Sequence, residues 1–310
     1  MFDPEDYWTR NVKDRNNDVE DENNQNFNNP TFVQLLLKKA NKVKDVNRID
    51  PIDFYDLYGK EAVDAELSWV AQQKAGQEKR NSSDENWHKD ISQISETFFC
   101  KQFKISRWLG ERVCVQRTSE YDDFMNGIDL IAEIRHPNQK SANYCGFALD
   151  ITLAEDITTI ARKIERIYQK IDDAELPKIK YFKSDFLNIR GEKSNIPLFV
   201  IGCDLKHFEQ LTKLWYNEKQ DALSEHPEQI ILLYQIIQQS QIFRDYARSK
   251  NKLEIADIYN QSLQEFMTIY QERREIIEKI KSNTNNKYFF ANDIVSANII
   301  RVLKDYVQPN

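Results

Sequence analysis

The sequence predicts a mostly α-helical chain built around one small α/β core. That core is a helix with a mixed four- to five-stranded sheet at residues 86–205, and it has helical extensions on both sides. Three observations predict this class. Glycine and proline number only 7 and 8 in 310 residues, which favours long helices over a turn-rich all-β chain. Short β-branched or apolar runs are concentrated between residues 110 and 202. One strongly periodic isoleucine helix interrupts those runs, as expected where a helix lies against a sheet.

Taken in order, residues 1–30 are rich in Asn, Asp and Glu and read as a disordered acidic arm. Residues 31–85 form N-terminal helices: one after Pro30 with Phe32, Leu35, Leu36, Ala40 and Val43 at helical spacing, and one over 61–77 with Ala62, Leu67, Val70 and Ala71 inward. The polar stretch 80–86 reads as a linker. The core opens with a helix from Trp87 to about Ser106, with Ile91, Ile94, Phe98, Phe99 and Phe103 on one face. Strands are expected at 110–118, at 126–134 after an Asn-Gly turn, and at 144–152, with 136–143 as a hairpin loop. Thr152 and Glu155 resemble a capping box, and Asp156 competes as the N-cap. Ile157, Ile160, Ile164, Ile167 and Ile171 then mark one helix face, which leaves Arg162, Lys163, Arg166 and Lys170 outside the stripe. A further strand is expected at 196–202, with 179–183 as an extra or edge strand. Residues 206–310 read as a C-terminal helical bundle or self-associating arm.

Composition narrows the function. The net charge is −7, and residues 1–30 alone contribute −5, so the chain is no basic coat for nucleic acid and any such contact needs a local patch. No apolar run reaches the length of a membrane span, and the polar, acidic first ten residues are not a secretory signal. A cytoplasmic location is expected. Cys100, Cys114, Cys145 and Cys203 are far apart and read as buried reduced thiols. His88, His136, His207 and His226 show no ligand spacing, and no P-loop, G-x-G-x-x-G or G-x-S-x-G string occurs.

Two acids stand out. Asp129 sits near the start of the second strand and Asp150 near the end of the third. If those strands form a hairpin, the carboxylates lie side by side and offer a hard-oxygen site for Mg²⁺ or Mn²⁺. The segments Gly127-Ile128-Asp129 and Asp150-Ile151-Thr152, at this separation, resemble the PD-(D/E)XK, or restriction-endonuclease-like, superfamily over residues 86–205. Glu96 on the preceding helix matches the acid that often completes the superfamily's site. The longer string from Ser119 through Tyr121, Asp122, Asp123, Asn126 and Gly127 to Asp129 also looks like a motif of bacterial relatives of that fold. The resemblance implies a metal-dependent nuclease in which Asp129, Asp150 and Glu96 hold Mg²⁺ or Mn²⁺ and a phosphodiester bond of DNA or RNA is cleaved. The superfamily usually places lysine where this chain has Thr152, and sometimes relocates it to the next helix. Lys163 is the candidate here and Arg162 the second.

Residues 178–193 carry a local charge of +3, from Lys178, Lys180, Lys183, Arg190 and Lys193 against two acids, with Tyr181 and Phe182 interleaved. They are candidate nucleic-acid contacts, with a lysine-guarded edge strand as the plainer reading. Net acidity and Thr152 support an alternative: a catalytically inactive nuclease-fold protein that binds a protein partner, or a second copy of itself, through its C-terminal helices.

Overall fold

The computed structural model describes residues 25–44, 48–78, 83–135, 145–286, 289–290 and 293–307. The chain begins with α1 (Pro30–Lys44), a 3₁₀ turn (Pro51–Phe54), α2 (Tyr55–Tyr58) and α3 (Lys60–Glu78). The core follows as α4 (Ser83–Ile105), β1 (Val113–Arg117), α5 (Glu120–Asn126), β2 (Leu130–Ile134), β3 (Cys145–Thr152), α6 (Ile157–Asp172), β4 (Ile179–Lys183), β5 (Arg190–Lys193) and β6 (Leu198–Gly202). The C-terminal part comprises α7 (Leu205–Tyr216), α8 (Gln220–Ser224), α9 (Glu228–Ser249), α10 (Leu253–Glu272), α11 (Arg274–Ser282) and α12 (Ile294–Val307). Among the described residues, no helix is long and apolar enough to cross a membrane.

The main sheet has the order β1-β2-β3-β6. β1, β2 and β3 pair antiparallel, while β6 pairs parallel with β3. A parallel neighbour requires a crossover, and α6 provides it. Its inner face buries Ile160, Ile164, Ile167, Tyr168 and Ile171, the predicted stripe with Tyr168 added. Every residue of β2 and β6 is buried, as expected of strands covered on both sides. β6 would leave one edge unpaired. Gln235 and Gln239, one turn apart on α9, close it: Gln239 takes the N–H and C=O of Val200, and Gln235 those of Gly202. Gly202 also has to be glycine for space, because a Cβ there would lie 1.7 Å from the Thr152 carbonyl oxygen.

Several expectations are redrawn. The strand at 179–183 does not extend the main sheet. β4 pairs with β5 in a separate two-stranded sheet, because the buried carboxylate of Asp122 accepts from the Lys180 and Tyr181 amides and holds β4 against α5. The Asn126-Gly127 pair is no hairpin turn. It ends α5, whose N-cap is Ser119, and Gly127 takes the left-handed conformation, φ 57°, of a helix C-cap. Asp156, not Thr152, caps α6, and Glu155 accepts from the Leu205 amide instead. In α1, Leu35 is exposed and Val33 faces inward. In α3, Ala62 and Ala71 are exposed while Val63 and Val70 are buried. The polar linker 80–86 ends inside α4, which begins at Ser83. Arg273 separates α10 from α11.

Residues 1–24 and the 136–143 loop lie outside the described residues. The end of the expected arm is anchored: Phe27 is buried against Phe208, and its amide donates to Glu209. Residues 48–49 lie along the free edge of β1, where the Ile49 amide donates to the Arg117 carbonyl. In the C-terminal part, α9 is buried on most sides against α10, α12 and β6. Large apolar side chains of this part that stay exposed include Tyr234, Leu253, Met267 and Ile294.

Asp122 gives the fold a direct test. Replacing it by alanine strips two buried amides of their acceptor, and Asp122→Ala should lower urea-unfolding stability by about 2–4 kcal/mol. Asp122→Asn, which keeps an acceptor oxygen, should lose less than half as much.

Candidate metal centre at the β2–β3 hairpin

The β2–β3 register pairs Leu130 with Leu149. That ladder ends one residue short of both acids. Beyond it, hydrogen bonds bring Asp129 to the β3 backbone beside Asp150. The Asp129 amide donates to the Leu149 carbonyl at 3.1 Å, and the Asp129 carboxylate accepts from the Ile151 amide at 2.6 Å. Asp129 is half-buried and Asp150 buried.

Lys163 comes from α6. It pairs through Nζ with Asp150 Oδ1 and donates to the Ile151 carbonyl at 3.0 Å. The candidate that the sequence placed one helix away from the usual lysine position thus reaches the acid pair. Arg162, the second candidate, has no recorded contact with these acids. Arg166, one turn beyond Lys163, lies 3.4 Å from Asp150 Oδ2 and also donates to the carbonyls of Asn126 and Gly127. A Cβ at Gly127 would meet the Arg166 guanidinium at 2.6 Å, so this glycine serves both its positive φ and the close approach of Arg166.

Glu96 is not the third ligand of a ready-made set. It forms an ion pair with Arg117, which also donates to Thr97. Arg117 belongs to β1, and its guanidinium draws the Glu96 carboxylate to itself. Among the described residues, Glu96, Asp129 and Asp150 are not brought together as three convergent ligands. Asp123 on α5 lies in the same charged layer, held 3.3 Å from Arg48, and its carboxyl is raised to about 6 by burial and then by Glu96. The string from Ser119 to Asp129 therefore has a distributed meaning. Ser119 caps α5, Asp122 anchors β4, Asp123 faces Arg48, Gly127 ends the helix, and Asp129 enters the site.

Asp150 has two cationic partners, whereas Asp129 has no ion pair among the described residues. Burial pushes the Asp129 carboxyl well above the usual carboxylate range, and Glu96, Asp150 and Asp123 push it further. Burial acts to lower Lys163, but the carboxylates of Asp150 and Asp129 outweigh it and hold the ammonium above its ordinary value. The centre is thus a carboxyl pair with one member short of positive charge. The donors of the pair are all oxygen, the type that suits a hard cation.

A cleft of about 620 Å³ opens beside Lys163. Trp87, Ile91 and Ser95 of α4 form one wall, and Thr152, Asp156 and Thr159 the other. Thr152, where the resemblance expects lysine, is buried, and its hydroxyl accepts from the Ala154 amide at 3.2 Å.

The basic segment is held by acids of the N-terminal helices. Lys180 pairs with Glu66, Lys183 with Asp53 at 2.7 Å, and Arg190 with Asp56, while Lys193 lies over the Phe182 ring at 5.8 Å. Lys178 is exposed. The sequence spacing could not show these distant acids, which remove most of the local excess charge.

The sequence analysis missed a second cluster, Asp204, His207 and Asp293, whose ligand atoms all lie within 4.8 Å of one another. Its members come from two distant segments, so local spacing gave no signal beyond the i, i+3 pair of Asp204 and His207.

The raised Asp129 carboxyl has a stability consequence. A folded-state value above the ordinary 3.8 means that stability is lost as pH rises from that value through the folded one. In chelator at pH 7.5, Asp129→Asn should therefore melt higher than wild type, by roughly 1–2 kcal/mol of added stability. The gap should close as the pH falls towards 3.8.

No family model matches the chain, and no match is found among curated proteins or solved structures.

Proposed function

We propose that this protein is a metal-dependent nuclease acting on phosphodiester bonds of DNA or RNA, on a restriction-endonuclease-like core. One observation carries the reading: the Asp129 carboxylate sits on the Ile151 amide, next to Asp150, and Lys163 from α6 reaches both Asp150 and the Ile151 carbonyl. The order of helix, three antiparallel strands, crossover helix and parallel fourth strand supports the fold part of the reading.

Asp129 and Asp150 would hold Mg²⁺ or Mn²⁺. When bound, such an ion lowers the pKa of a water and polarises the phosphate. The protein's own groups do the rest. The Ile151 amide fixes one oxygen of Asp129 and leaves the other for the cation. Lys163, fixed by Asp150 and the Ile151 carbonyl, presents a positive charge at the cleft, where charge develops on the scissile phosphate. Arg166 holds the second oxygen of Asp150 and orients it. Trp87 offers an aromatic wall on which a base can stack.

A single-turnover assay with labelled single- and double-stranded DNA and RNA tests this. Cleavage should require Mg²⁺ or Mn²⁺ and vanish in Asp129→Asn and in Asp150→Asn. Lys163→Ala should slow it by about 10²–10³-fold, with partial recovery in Lys163→Arg. Cleavage that survives in both aspartate variants would refute the assignment. A wild type that is inert on every substrate with both metals would leave the inactive, partner-binding reading in its place.

A further inference from the structure

A second charged cluster lies where the C-terminal helices meet the sheet. Asp204 follows β6 and caps α7, accepting from the His207 amide at 2.7 Å. Asp293 precedes α12 and accepts from the Ser296 amide at 3.2 Å and from its hydroxyl. His207 stands between them, with Nδ1 at 3.4 Å from Asp204 Oδ2. All three side chains are buried, and their ligand atoms lie within 4.8 Å of one another.

Helix capping explains Asp204 and Asp293. It does not explain Glu228, in the first turn of α9. Glu228 is 0% exposed, and neither carboxylate oxygen has a hydrogen-bond partner among the described residues. After burial itself, the charges of Asp293 and Asp204 hold this carboxyl well above the usual range, so it lies within their electrostatic reach, outside the three side chains whose ligand atoms are within 4.8 Å of one another. Cys203 is buried beside them and feels the same three carboxylates. His226 Nδ1 accepts from the Glu228 amide at 3.1 Å, so that ring nitrogen carries no proton. It therefore brings no positive charge.

Two carboxylates thus converge out of water with one imidazole, and a third carboxylate, without a hydrogen-bond partner among the described residues, is buried near them. The three helix N-termini that end here each offer about half a positive charge, which offsets roughly half of the negative total. The remainder needs protons or a cation. We propose that Asp204, His207, Asp293 and Glu228 form a closed, buried zinc site that fastens α9 and α12 to the end of the sheet. An imidazole nitrogen with three carboxylate oxygens makes a four-coordinate set that Zn²⁺ accepts. Mg²⁺ fits poorly, since it prefers oxygen ligands and keeps several waters. Drawing Asp204, His207 and Asp293 to zinc distance requires side-chain shifts of about 1 Å, and Glu228 has to turn in to meet them. The site is separate from the Asp129–Asp150 centre and stands whether or not that centre cleaves nucleic acid.

The test uses the full chain, purified without a metal-affinity tag or chelator. Metal analysis should find about one zinc per chain. Stripping it should lower Tm, and adding Zn²⁺ alone should restore Tm. Zinc content should fall to roughly a tenth or less in His207→Asn and in Glu228→Gln, yet stay unchanged in Asp129→Asn. Should the buried variants fail to fold, metal content and the chelator-dependent Tm of the wild type decide the question. A metal-free wild type whose Tm ignores added Zn²⁺ overturns the proposal, as does a Glu228→Gln protein that melts higher than wild type with or without Zn²⁺. Retention of the zinc in His207→Asn overturns it as well.

Discussion

The register between β2 and β3 fixes where the charge in this molecule lies. In an antiparallel ladder the side-chain period is two, so a slip of one residue would carry Asp150 to the other face of the sheet. Burial on both sides holds the register, because β2 has no face on which a displaced polar residue could reach water. β6, locked parallel to β3 and closed by the two glutamines of α9, then fixes the path of α6. That path decides that Lys163 and Arg166 reach Asp150. The carboxyl pair and its cations are consequences of one pairing pattern and one crossover.

The two carboxylates are treated differently by the fold. Asp150 is neutralised by Lys163 and Arg166, while Asp129 receives one amide and is surrounded by other acids. An incomplete charge balance is the common signature of a place made for a cation or for proton transfer. Glu228, in the first turn of α9, is a second buried carboxyl without a hydrogen-bond partner among the described residues.

Much of the core was legible in the sequence because its signals are local. The isoleucine stripe of α6, the apolar run of β3 and the aromatic face of α4 each follow from one element's own period. The site was legible to the same extent. Asp129 and Asp150 stand at strand ends, and Lys163 lies on the polar face of a helix whose inner side was certain. What failed depends on residues far apart in the chain. Asn-Gly looks like a hairpin signal, but Ser119 and Asp122 had already committed residues 120–126 to a helix. β4 looks like a sheet strand until the Asp122 carboxylate is seen to claim its amides. Glu96 looks like a ligand until Arg117 takes it. Asp293 lies 86 residues beyond His207, and no spacing rule connects them.

The central claim is that Asp129 and Asp150 serve one shared cation. Calorimetric titration of Mn²⁺ into wild type, the two single asparagine variants and the double variant measures this directly. The account predicts that each single change removes the binding almost as fully as both together, since a shared ion is lost with either ligand. Wild-type affinity in either single variant, or losses that simply add, would contradict it.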